Sequence, residues 1–113
     1  GIAARGRQIF VGGMIGWNER EEFASDDFAE QTHQALKNIV AVLAQAGAAP
    51  EHIVRLTWYV TSKAEYLASA KAVGQAYREV MGYHFPVMAL VQVVALVEDR
   101  AKVEIEATAV IPE

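Results

Sequence analysis

A chain of 113 residues, 53% apolar and 21% charged, is long enough for one hydrophobic core and too apolar to remain disordered, so a single domain over residues 1–113 is expected. Its formal charge of -4 and its pI near 5.3 speak against a phosphate-binding surface and hence against a nucleic-acid partner. The absence of cysteine excludes disulfides, thiolate metal sites and a thiol nucleophile. No apolar run reaches the ~20 residues of a membrane helix, and no basic segment with an apolar signal core opens the chain, so a cytoplasmic protein without a membrane partner is expected.

In chain order, Gly6 to Val11 (GRQIFV) is a short β-branched stretch ending at Gly12-Gly13, and Met14 to Trp17 continues past a glycine bend. The pair reads as a hairpin-like edge. Asn18 to Asp27 is polar and forms the longest loop. Asp26 or Asp27 caps the next segment, where Phe28, Ala35, Leu36, Ile39, Val40, Leu43 and Ala46 recur at helical spacing until Gly47. Past Pro50, Ile53 to Thr61 (IVRLTWYVT) alternates as a strand, with Val54, Leu56, Trp58 and Val60 on one side and Arg55, Thr57, Tyr59 and Thr61 on the other.

Ser62 and Glu65 form a capping box for a second helix, whose stripe of Tyr66, Leu67, Ala70, Val73, Tyr77 and Val80 runs to Gly82. After His84-Phe85-Pro86, the nearly unbroken apolar run Val87 to Leu96 reads as a strand buried on both faces. The turn Val97 to Arg100 leads to Ala101 to Val110, in which Val103, Ile105, Ala107 and Ala109 alternate with Lys102, Glu104, Glu106 and Thr108.

The order β-β-α-β-α-β-β implies an α+β fold with two helices on one face of a sheet. The other face is left bare, yet it carries Met88 and Leu90 or their alternates. A small domain seldom leaves such a patch in water, so self-association through it is expected.

Phe10 to Ile15 (FVGGMI), the helix end Ala44-Gln45-Ala46-Gly47, the strand Val54 to Thr61, Pro86 with its strand, and above all Val103 to Ala107 (VEIEA) resemble the YjgF/Rid family of reactive-intermediate deaminases along nearly the whole chain. The resemblance implies a chorismate-mutase-like fold, a homotrimer around a barrel-like packing of sheets, three clefts for a small-molecule ligand between subunits, and no cofactor. In the deaminating members an arginine two residues after the proline binds the substrate carboxylate in a bidentate manner, and the first glutamate of the EIEA element lies in the same cleft. Here these positions are Met88 and Glu104. A thioether supplies neither the charge nor the paired donors of a guanidinium, so short imino acids lose their anchor. Gly12-Gly13 stands where many members have Ser-Gly, Met14 stands where they commonly have Gln, and the turn Val97 to Arg100 holds one extra residue.

The candidate site therefore comprises Glu104 as the group that orients or activates water, with Met88, Ala89, Leu90, Gly12, Gly13, Met14 and Arg55 around the ligand. Each has a plainer alternative. Glu104 and Glu106 point the same way and equally suit a solvated or inter-subunit charged face. Met88 suits core filling, and Arg55 suits either a replacement cation or a partner for Glu104 or Glu106. His33, His52 and His84 lack metal-site spacing, so no metal is expected. Three functional readings remain: a hydrolase of imines or enamines that works without a carboxylate clamp, a trimeric ligand-binding or regulatory protein, and the ribonuclease or translation inhibitor of an older family label. The acidic pI and the lack of a histidine pair weigh against the last.

Overall fold

The computed structural model describes residues 1–113, and its first regular element begins at Arg7. Strand β1 is Arg7–Ile15, helix α1 is Phe28–Gln45, and a 3-10 turn at Pro50–His52 leads into β2, Ile53–Val60. Helices α2, Lys63–Ala68, and α3, Ala70–Met81, precede β3, Val87–Gln92, and β4, Val103–Ile111. The four strands form one sheet in the order β1-β4-β2-β3. Strand β4 pairs antiparallel with both neighbours, while β2 and β3 run parallel because α2 and α3 carry the chain back between them.

Local chemistry sets the helix ends. Asp27 caps α1 by accepting the Glu30 N–H at 3.0 Å, and Ser62 caps α2 by accepting that of Glu65 at 3.1 Å. The core lies between the helices and the inner sheet face, where Leu36, Ile39 and Leu43 of α1 and Val73 and Tyr77 of α3 meet Leu56, Trp58, Val60, Val103 and Ile105. Each such fully buried aliphatic side chain stabilises the fold by about 1.5–3 kcal/mol relative to its exposed state.

The structure departs from the sequence expectation in three places. The N-terminal hairpin is one strand: Val11 pairs with Ala107 and Met14 with Ile105, so Gly12 and Gly13 together oppose Glu106 in a β-bulge. The sheet consequently has four strands rather than five. The second helix divides at Ser69 (φ -101°, ψ 8°), giving three helices on the same side of the sheet. Residues 63–68 bury no side chain fully, so packing does not hold α2 in line with α3.

The apolar run after Pro86 is the third departure, because β3 ends at Gln92 and lies at the sheet margin, paired with β2 alone. It is not buried on both faces. Pairing of Leu56 with Met88 and Trp58 with Leu90 places Met88 and Leu90 on the helix side. Their alternates Val87, Ala89 and Val91 lie on the bare side, beside Arg55, Thr57 and Tyr59.

Gln31 ties the two long loops to the core. It is 1% exposed, donates to the carbonyls of Ser25 and Arg100 at 3.1 and 3.0 Å, and accepts the Lys102 N–H at 2.9 Å. Gln31→Ala leaves these groups unpaired, and a loss of about 2–4 kcal/mol is expected in denaturant unfolding. A change within ~0.5 kcal/mol would mean that water replaces all three bonds. No helix is long and apolar enough to cross a membrane.

Candidate functional site

The alternation of β4 sends Glu104 and Glu106 to the bare face and leaves Val103, Ile105 and Ala107 in the core. Glu106 Oε1 accepts a hydrogen bond from the Tyr59 hydroxyl at 2.9 Å. That bond, followed by burial and by the charges of Glu106 and then Glu104, holds the Tyr59 hydroxyl above its ordinary pKa of 10.0. Tyr59 is therefore a neutral donor at physiological pH, fixed on Glu106, while the Glu104 carboxylate has no hydrogen-bond partner of its own among the side chains.

Glu104 is placed by the glycine bulge. A Cβ added at Gly13 would lie 2.6 Å from Glu104 Oε2 and 2.7 Å from its Cδ, so the carboxylate occupies the volume that any other residue at position 13 would fill. Nothing lies within 4 Å of the equivalent point at Gly12. Gly12 instead borders a shallow hollow of about 250 Å³ on the bare face, with Phe10, Arg55, Thr57, Glu106 and Thr108. Arg55 enters none of the ion pairs, which join His33 to Glu79, Arg100 to Asp26 and Lys102 to Glu65.

Met88 occupies a different place. It is 45% exposed and lines a groove of about 170 Å³ on the helix side of β3, against Trp58, Tyr66, Val73, Tyr77 and Phe85. Leu90 is partly buried against the core on the same side, and Met14, beside Ile105, packs there too. The candidates thus form two groups within one chain: Gly12, Gly13, Arg55, Ala89 and Glu104 on the bare face, and Met14, Met88 and Leu90 on the helix side. The aromatic walls of the Met88 groove were not singled out from the sequence as ligand contacts. For Tyr66 and Tyr77 the only signal is the apolar stripe of the second helix, which equally denotes core.

The segment leading to Met88 is fastened at several points. Tyr77 donates its hydroxyl to the His84 carbonyl at 2.6 Å and stacks on Phe85 with ring centroids 5.4 Å apart, and His84 Nε2 donates to the Ile53 carbonyl at 2.7 Å. Burial pushes the Tyr77 hydroxyl up to about 12. Because the folded chain then holds a proton that the unfolded chain releases near 10, this contribution is complete below pH 10 and is lost as pH rises toward 12. Tyr77→Phe should make the fall in stability over that interval shallower, measured by chemical unfolding at a series of pH values. An unchanged slope would place the effect elsewhere.

The three histidines are all engaged structurally: His33 lies 3.3 Å from Glu79, His52 Nδ1 accepts the Ala49 N–H, and His84 bonds as above. No three His, Asp or Glu side chains converge as a metal site.

A small α+β chain with its helices on one sheet face, a bulged first strand and an acidic last strand is the architecture of a recognised group. The chain matches the family model described as Endoribonuclease L-PSP over residues 2–111, and it belongs to that family, which is the YjgF/Rid family. It is 30% identical over 105 residues to the human 2-iminobutanoate/2-iminopropanoate deaminase, covering 92% of this chain and 73% of that one. Among solved structures, a YjgF/YER057c/UK114 family member from Mycobacterium tuberculosis is similar with a TM-score of 0.75 at 34% identity, covering 96% of this chain and 82% of that one. TdcF from E. coli, with bound serine, gives a TM-score of 0.81 at 27% identity over 96% and 84% of the two chains.

Proposed function

We propose that the chain hydrolyses an imine or enamine, or a related small reactive metabolite, in a cleft formed between subunits of a homotrimer. The observation that carries this reading is the placement of Glu104: a carboxylate seated over a glycine, on a bare sheet face, beside a tyrosine whose hydroxyl is already committed to Glu106. Within one chain Glu104 and Met88 lie on opposite sides of the sheet, so a cleft that contains both draws them from neighbouring subunits. The kinship with deaminases of 2-iminobutanoate and 2-iminopropanoate supports the reaction class.

In this mechanism Glu104 takes a proton from water as the oxygen attacks the C=N carbon. Glu104 returns that proton to the nitrogen of the tetrahedral adduct, the hydroxyl's remaining proton follows to the nitrogen as the C–N bond breaks, and a carbonyl compound and ammonia leave, so that one water is consumed for each ammonia released. Strand β3 has a free edge, and the alternate backbone N–H groups that face it, one of them from Ala89 or Leu90, are suited to polarise the reacting group.

Ammonia release from a panel of imines generated in place tests this reading. Glu104→Gln should lower turnover by about 10²–10⁴-fold, the usual contribution of a general base. Glu106→Gln should act mainly on stability or assembly, because it removes the partner of Tyr59. Equal effects of the two substitutions on turnover and on assembly would remove the distinction. A second reading, a trimeric binding or regulatory protein without turnover, is favoured by Met88 in place of the carboxylate-binding arginine; saturable binding with no ammonia released would establish it.

A further inference from the structure

The groove beneath Met88 has one charged side chain along its lining, and α3 supplies it. Arg78 lines the groove together with Gly74, and every other lining residue is apolar or aromatic. Arg78 belongs to none of the molecule's ion pairs. Helical side chains lean toward the N-terminus of their helix, so Arg78 lies back over the preceding turn. Residue 74 in that turn is glycine, and Arg78 Nη1 sits 3.2 Å from the point that an added Cβ would occupy. Glycine is disfavoured inside a helix. Here it leaves the guanidinium room beside the groove.

Trp58, 2% exposed, is part of the groove's wall together with Tyr66, Tyr77 and Phe85. A lining with a free cation, apolar and aromatic walls and no carboxylate is matched to an anionic ligand with an apolar body. Apolar cavities of about 150 Å³ accept a benzene ring, and the groove's volume of about 170 Å³ is similar.

We propose that Arg78 is the specificity-determining cation of this groove, and that the ligand is a carboxylic acid whose charge is separated from its reacting carbon by an apolar or aromatic segment. This rests on the reading of the Met88 groove as part of the ligand site. The carboxylate is held from α3, the apolar segment lies between Met88 and the aromatic wall, and an imine of such an acid replaces the short imino acids as the substrate class.

Calorimetric titration of the intact protein with 3-phenylpropanoate and with its uncharged amide tests the assignment. The native chain should bind the acid roughly tenfold or more tightly than the amide, as a charge-assisted contact implies. Arg78→Gln should abolish that preference while amide affinity persists, and Lys37→Gln, which removes a charge from α1 at a residue that lines a different hollow, should leave it intact. Equal affinity for acid and amide in the native chain, or a preference that survives Arg78→Gln, overturns the role of Arg78. In either case amide binding that Met88→Glu abolishes keeps the groove itself as a ligand site. Failure of both compounds to bind overturns the groove reading and the proposal together.

Discussion

With 2-iminopropanoate generated in place, the native chain is expected to release ammonia roughly ten- to a hundredfold less efficiently than a relative that carries arginine two residues after the proline. The estimate follows from the loss of a charge-assisted, bidentate contact worth about 1.5–3 kcal/mol. Met88 offers a thioether at that place, on the helix side of an edge strand, and no other cation on β3 takes over. Arg55, the replacement suggested by the strand pattern, points to the opposite sheet face beside Thr108 and Val87. Met88→Arg should recover only part of the deficit. A guanidinium at position 88 would enter a groove that Arg78 already borders and that no carboxylate lines, so it meets like charge and lacks support. Native turnover equal to that of an arginine-bearing relative would refute the apolar-ligand reading and assign the carboxylate to another group.

Light scattering at micromolar concentration should give the mass of three chains, and Val91→Asp should reduce it to one. The bare face presents Phe10, 72% exposed, and Val91, 44% exposed, around Tyr59, Glu104 and Glu106. Apolar side chains of this size stabilise an interface when covered, and an unpaired carboxylate placed among them must shed its hydration at a cost of several kcal/mol. If assembly completes the cleft, Val91→Asp should also abolish ligand binding, although residue 91 lies on the opposite side of β3 from the Met88 groove. A native chain that stays monomeric would end the trimer proposal, and an assembled Val91→Asp protein would move the interface off this face.

Much of the fold was legible in the chain because its strongest signals are local. Asp27 and Ser62 are short acceptors before helical stripes, and each caps the expected helix. Alternation in Val103 to Ala109 placed the two glutamates together and the aliphatic residues in the core, since a strand's side chains alternate whatever lies beside it. The bulge at Gly12-Gly13 was not legible as a bulge. Two glycines in a row read as a turn, and only pairing with Ala107 and Ile105 on β4 keeps the strand running through them.

Composition and periodicity by themselves determined an acidic, cysteine-free α+β domain with helices on one face and two carboxylates on the other, and the VEIEA element tied it to its family. Those properties depend on composition and on neighbours two to four residues apart. The tertiary structure alone decided which side of the sheet each candidate occupies: an unbroken apolar run has no alternation to read, so the side of Met88 is set by its pairing with Leu56 across a parallel ladder. It also decided that Arg78, rather than Arg55, borders the Met88 groove, because that neighbourhood joins α3 to β3 and is created by packing between elements distant in the chain.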